Sequence, residues 1–138
     1  MGPSDAYCRA AWSAVCTSQA VIEFDTNGII TWANVGFLKL VRYQLSDLVG
    51  QHHRVLCYPE QTKTEEYRRL WKSLGDGRFD SGEYARRRSD GSEIWLQATY
   101  NPVFDEDGSV QRVIKIATDV TRRVALEQSA KIHLDNET

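Results

Sequence analysis

The sequence predicts an α+β domain built around an antiparallel sheet, and three observations predict it. Residues 93–121, EIWLQATYNPVFDEDGSVQRVIKIATDVT, hold two long runs rich in β-branched and aromatic residues, joined by the acidic turn Asp105-Glu106-Asp107-Gly108; this is the pattern of a hairpin. Residues 20–33 repeat that pattern on a smaller scale around Asp25-Thr26-Asn27-Gly28. Neither face of the long hairpin is cleanly polar: Ile94, Leu96, Ala98 and Tyr100 alternate with Trp95, Gln97, Thr99 and Asn101, and Ile114 and Ile116 alternate with Val113, Lys115 and Ala117. Such a sheet has to be covered on both sides, so helices are expected before the hairpin and at the chain ends.

The elements follow in order. Residues 4–18 place Tyr7, Ala11, Trp12, Val15 and Cys16 at three- and four-residue spacing behind the capping residues Ser4 and Asp5, which predicts an amphipathic helix. A short strand over 20–24 and its return over 29–33 come next. Phe37, Leu38 and Val41 predict a short helix over 34–41, and Ser46-Asp47-Leu48-Val49-Gly50 a capped turn that stops at glycine. Over 63–74, Tyr67, Leu70, Trp71 and Leu74 share one helical face, and Gly75 and Gly77 end the helix. Residues 81–88 read as a strand that turns at Ser89-Asp90-Gly91 into the long hairpin. Past Thr121 the chain is charged, with Val124, Leu126, Ala130 and Leu134 too irregularly spaced for a heptad seam; a surface or dimer helix is expected. The division is a helix over 1–19, a central domain over 20–121 and a helix or tail over 122–138.

Composition limits the function. A chain of 138 residues suits one domain with a core of its own. With 26% charged residues and a net charge of −2, nothing draws it to nucleic acid or to an anionic membrane. No apolar run reaches the roughly 20 residues of a membrane span, and the start lacks the form of a signal peptide. Cys8, Cys16 and Cys57 are odd in number and lack C-x-x-C spacing, which points to a reducing compartment, the cytoplasm. No phosphate-binding loop, dinucleotide fingerprint, nucleophile elbow or zinc-binding H-E-x-x-H is present, so no enzymatic activity is expected. The acidic turn at 105–107 lacks calcium-loop spacing, and no metal is expected there.

Several corners of the chain share an order and spacing: Ala33-Asn34 with Phe37 behind the second strand, Tyr43 and Leu45 through Gly50, GEYARRRSDGSEIWLQATYNPV over 82–103, and Asp119-Val120-Thr121. Together they resemble the PAS sensor domain, over residues 20–121. His52-His53-Arg54, Glu66-Tyr67 before Trp71, and Trp95 through Gln97 to Tyr100-Asn101-Pro102 are similar to PAS domains of bacterial chemotaxis and aerotaxis receptors. The resemblance implies a five-stranded antiparallel sheet, its first two strands beside the last, with short helices over one face enclosing a pocket. Flanking helices would carry the signal. It further implies a cytoplasmic sensory module of a longer receptor, responding to redox state, oxygen or a small ligand through a group held in the pocket.

The resemblance also names candidates for that group. Flavin, as FAD, leads, because a tryptophan at the position of Trp71 lines the flavin site of redox-sensing PAS domains; the other reading of Trp71 is core packing. Those flavin sensors carry asparagine where Arg86 stands, and the aerotaxis form has arginine and histidine at Cys57 and Tyr58. A buried guanidinium can still donate to a flavin carbonyl or a phosphate. Ala117 stands where an amide side chain would meet a flavin edge. The adduct-forming cysteine of blue-light PAS photoreceptors falls on His53, so no such adduct is expected, and Cys57 reads as a small buried residue. Haem b, with His52 or His53 as axial ligand, is the second candidate. The third is a cofactor-free dimerisation or docking module whose pocket is filled by Trp71, Tyr100 and Leu96. The candidate binding set is Asn34, His53, Cys57, Tyr58, Trp71, Arg86, Leu96, Ala98, Tyr100 and Ala117.

Three geometric expectations complete the reading. Leu96, Ala98 and Tyr100 should face inward with Trp71, and Trp95 outward against the N-terminal helix. Glu23 and Lys115 should form a cross-strand pair, the alternative for Lys115 being contact with the pocket. The N-terminal helix and the outer sheet face, with Trp95, Ile114 and Ile116, should form a homodimer surface.

Overall fold

The structure, a computed structural model, describes residues 2–137. Met1 and Thr138, at the ends of the two flanking segments, lie outside the described residues. Helix α1 (Asp5–Ser18) starts at Ser4, whose hydroxyl accepts from the Tyr7 N–H. Strands β1 (Ala20–Phe24) and β2 (Ile30–Ala33) follow, then α2 (Val35–Val41) and α3 (Leu45–Leu48). Two 3-10 turns, His53–Leu56 and Gln61–Lys63, lead into α4 (Glu65–Gly75), and β3 (Asp80–Arg87), β4 (Glu93–Phe104), β5 (Val110–Asp119) and α5 (Thr121–Glu137) complete the chain. Each predicted helix and strand is present. The two 3-10 turns carry no helical periodicity and were not foreseen.

The five strands form one antiparallel sheet in the order β2-β1-β5-β4-β3, which sets the first hairpin beside the last strand as expected. Alternation decides the faces. Ile94, Leu96, Ala98 and Tyr100 of β4 and Val113, Lys115 and Ala117 of β5 are buried on the inner face, while Trp95, Ile114 and Ile116 stand half-buried on the outer one. The core lies between the inner face and the helices, with Phe37 and Val41 of α2, Leu48 of α3 and Leu74 of α4 as its main contributions from the helices.

Two expectations are corrected. The β1–β5 register places Ile22 opposite Lys115 and Glu23 opposite Ile114, so Glu23 and Lys115 point to opposite faces. Glu23 instead accepts from the Thr31 hydroxyl at 2.7 Å and lies 4.0 Å from Arg112. A one-residue offset between strands sends a side chain through the sheet, and nothing local in either strand sets that offset. Helix α1 makes its main contact with α2, and none of its residues is buried, so it does not form the lid expected over Trp95. The group that does reach Trp95 is the start of α5: Thr121 Oγ1 accepts from the Trp95 N–H at 2.9 Å and donates to Asp119.

Candidate functional site

The site begins with the turn between β1 and β2. Gly28 adopts φ +81°, and a Cβ there would sit 2.8 Å from His52 Nε2, so only glycine admits both the turn and the histidine packed on it. The Gly28 carbonyl accepts from the His53 N–H at 2.8 Å, and Ile29 bridges to His52. His52 then caps the first 3-10 turn, its Nδ1 accepting from the Arg54 N–H. These bonds turn the adjacent histidines apart: His52 stays half-buried, and His53 points under the sheet with 0% exposure.

Around His53 the interior is aromatic and polar together. Its ring meets Phe24, Trp71 and Tyr100 edge-on at 5.4, 5.4 and 5.8 Å, and stacks on Tyr67 at 5.7 Å. Its Nδ1 lies 2.9 Å from the Tyr67 hydroxyl and its Nε2 3.1 Å from the Tyr100 hydroxyl. Arg86 reaches in from β3 and donates from one terminal nitrogen to the Tyr100 hydroxyl at 3.1 Å, and from the other to the Ala85 carbonyl. Lys115, on β5 opposite Tyr100, holds its ammonium 4.8 Å from the Tyr100 ring centre and 5.9 Å from that of Phe37. Cys57 Sγ closes one side, 3.5 Å from His53 Nδ1.

Electrostatics follow from that packing. Burial, reinforced by Lys115 and Arg86, holds His53 well below its ordinary value, so the imidazole is neutral. Burial and Arg86 lower the Lys115 ammonium, against the pull of Tyr100. Burial alone would push the Tyr100 phenol up, but Lys115 and Arg86 bring it below its usual value. Burial raises the Cys57 thiol, so the sulfur stays protonated and unreactive at neutral pH. Among the described residues, three buried donor atoms have no hydrogen-bond partner of full geometry, Trp71 Nε1, Arg86 Nε and Lys115 Nζ, although Trp71 interacts with the Tyr67 hydroxyl and Lys115 with that of Tyr100.

A cleft of about 430 Å³ opens between α4 and β3 and leads to this cluster, with Tyr67, Leu70, Tyr84 and Arg86 among its walls. The structure therefore brings together His53, Cys57, Trp71, Arg86 and Tyr100 from the expected set. Leu96, Ala98 and Ala117 line the apolar part of the same core. Asn34 does not join them: its side chain caps α2 at Phe37, accepts from the Val21 N–H, and donates to the carbonyls of Cys16 and Gln19. Every hydrogen-bonding group of that amide is used in joining β1, α1 and α2. Tyr58 stays at the surface edge, its backbone N–H bonded to Gln61. Two members lie outside the expected set: Tyr67, and Lys115, whose contact with the pocket is the alternative to its pairing with Glu23. Tyr67 shares a helix face with Trp71 one turn on, and Lys115 is in phase with Val113 and Ala117, so both signals were in the sequence.

Comparison with known proteins gives this arrangement its family. Residues 17–125 match the family described as PAS fold. The chain belongs to the PAS family. This PAS domain is 40% identical over 123 residues to the biofilm dispersion protein BdlA of Pseudomonas aeruginosa, covering 89% of the chain and 30% of that protein. It is 31% identical over 97 residues to the aerotaxis receptor of Escherichia coli, covering 70% of the chain and 19% of the receptor. The chain thus spans less than a third of either relative. A solved light-oxygen-voltage domain, from a study with a flavin analogue, has a TM-score of 0.68 at 28% identity, covering 96% of this chain and 93% of that one. The chain is a PAS sensor domain of the kind found in signalling proteins related to chemotaxis. No helix among the described residues is long and apolar enough to cross a membrane.

Proposed function

We propose that this PAS domain is the cytoplasmic sensory module of a longer chemotaxis- or aerotaxis-like protein, and that the group it holds is a flavin, FAD, whose redox state it reports. The observation that carries the reading is the set of buried donors without acceptors at Trp71, Arg86 and Lys115. A flavin ring edge is rich in carbonyl and nitrogen acceptors, so this donor set fits it, and Trp71 Nε1, Arg86 Nε and Lys115 Nζ are the atoms that would hold it. The cleft beside Tyr67 and Tyr84, at about 430 Å³, falls within the roughly 300–1,000 Å³ of ligand pockets. Ala117 contributes no partner. The aerotaxis receptor and the light-oxygen-voltage domain support the reading as relatives.

Within the chain, Tyr100 pairs with Lys115 across the β4–β5 ladder, and four residues beyond Lys115 the strand ends at Asp119, which accepts from both the Thr121 N–H and its hydroxyl. Arg123 of α5 pairs with Glu83 of β3. A charge or packing change at Lys115 is therefore one strand-length from the exit helix. The surface for self-association is α1, where Tyr7 and Trp12 are exposed, together with the outer sheet face.

Absorption of the purified chain after reconstitution with FAD tests the reading. A flavin spectrum lost in Trp71→Ala and kept in His52→Ala supports it. A Soret band after haem addition, lost in His53→Ala, would replace flavin by haem. That second reading draws on the neutral, fully buried imidazole of His53, one of whose ring nitrogens would have to exchange a tyrosine hydroxyl for the iron. Protein that takes up neither group returns the docking-module reading.

A further inference from the structure

The interior carries an unbalanced charge. The chain has 19 acidic and 17 basic residues, yet the buried ionisable side chains among the described residues include Arg86 and Lys115 and no carboxylate. Buried cations are ordinarily paired with an anion, because removing them from water is otherwise costly. Here the acceptors beside them are neutral: the Ala85 carbonyl and the Tyr100 hydroxyl for Arg86, and for Lys115 that same Tyr100 hydroxyl, which also meets His53. Arg86 Nε and Lys115 Nζ stay unpartnered at 4% and 0% exposure. Arg86 also walls the cleft between α4 and β3, beside Arg69, Glu66 and Asp80, and so links this charge to solvent, while Lys115 does not line the cleft and sits against the Tyr100 ring.

We propose that this interior is a receptor for an oxyanion, a carboxylate or a phosphate, held by Arg86 and Lys115 and reached through the α4–β3 cleft. The inference rests on the interior being the sensory site but not on a flavin occupying it. A guanidinium presents a planar fork matched to a two-oxygen anion, and an ammonium supplies a point charge beside it. The Tyr84 hydroxyl donates to Asp80 and those of Tyr67 and Tyr100 meet the His53 ring nitrogens, so the aromatic residues furnish walls, and Arg86 and Lys115 the donors for an anion. The anion has two possible sources, a free small metabolite or the anionic arm of a cofactor. One internal rival exists: Tyr100 itself, ionised, would balance one of the two charges.

Four probes at constant ionic strength separate these cases: inorganic phosphate, succinate, FMN and riboflavin, each followed by calorimetric titration and by thermal unfolding of the whole chain. The expected result is saturable binding of at least one anionic probe, weakened roughly tenfold or more in Lys115→Met and in Arg86→Met. Circular dichroism and urea unfolding of each variant show that it is folded, and the two variants act as independent readouts. Binding of FMN without riboflavin, with phosphate competing, supports the proposal and assigns the anion to the cofactor. Binding of succinate or phosphate with neither flavin supports it and removes the flavin reading. Equal binding of FMN and riboflavin, untouched by phosphate, overturns it while leaving the flavin reading in place. It is also overturned if no anionic probe saturates, or if the variants bind as the parent does. A tyrosinate absorption band at neutral pH, absent in Tyr100→Phe and insensitive to phosphate, would make Tyr100 the counter-charge and overturn it as well.

Discussion

The inner face of the sheet changes character along its length. Around α2 and α3, the side chains of Ala20, Ile22, Leu96, Ala98 and Ala117 join Phe37, Val41 and Leu48 in an apolar cluster, whose polar neighbour is the Lys115 ammonium, 5.9 Å from the centre of the Phe37 ring. Further along the same strands, Tyr100 and Lys115 meet His53, Tyr67 and Arg86, and three donor atoms go unserved. His53, Tyr100 and Lys115 are as fully buried as Phe37, Val41 and Leu48, and the chemistry of the two sets differs. The first supplies stability through area removed from water. The second gives up part of it to keep a charged interior, which makes it the candidate for a sensing site.

That contrast can be broken or sharpened. The largest effect is expected in the dry half: Phe37→Ala should cost about 3–5 kcal/mol in urea unfolding, since Phe37 is fully buried. A cost near zero would mean that α2 is not part of the stabilising core. In the polar half the sign should reverse. Lys115→Met keeps the length and removes a buried charge without an acceptor, so the apo chain should gain about 1–3 kcal/mol. A loss of similar size would show that Lys115 has a partner and that the polar half is a structural network.

The third effect depends on pH. Burial lowers the His53 pKa in the folded chain, so below the ordinary value of 6.5 the unfolded chain binds a proton that the folded chain resists. This contribution is present in full above that value and is lost as pH falls below it, at up to about 1.4 kcal/mol per pH unit. Urea midpoints from pH 7.5 to 5 should show the loss, and His53→Gln should flatten it; an unchanged slope would place the titration elsewhere. The smallest effect on stability is expected outside the core. Trp95→Ser on the half-buried outer face should change unfolding by no more than about 1 kcal/mol. If the proposed homodimer forms, the same change should nevertheless shift the light-scattering mass from dimer to monomer, as should removal of residues 2–18. A truncated chain that stays a dimer would locate self-association on α5 or the sheet edge.

Much of this was legible in the chain itself, because the determining interactions are local. Asp25-Thr26-Asn27-Gly28 and Asp105-Glu106-Asp107-Gly108 set their hairpins through glycines at φ +81° and +87°. Strict alternation sent Trp95 outward and Tyr100 inward, and the helical repeat placed Trp71 on the inner face of α4. His52 and His53 had to diverge because they are adjacent in an extended-to-helical turn. What only the tertiary structure decided depends on pairings between distant segments. Glu23 and Lys115 are separated by the whole domain, and which of them faces inward follows from a one-residue register between β1 and β5 that the rest of the sheet imposes. Asn34, whose motif position suggested a ligand contact, is consumed by carbonyls from α1 and the N–H of Val21, partners that exist only after those elements have docked. The polar interior likewise comes from five separate elements, and each of its residues reads locally as an ordinary strand or helix position. Their unbalanced charge appears only when folding brings them within hydrogen-bonding distance in a medium from which water has been removed.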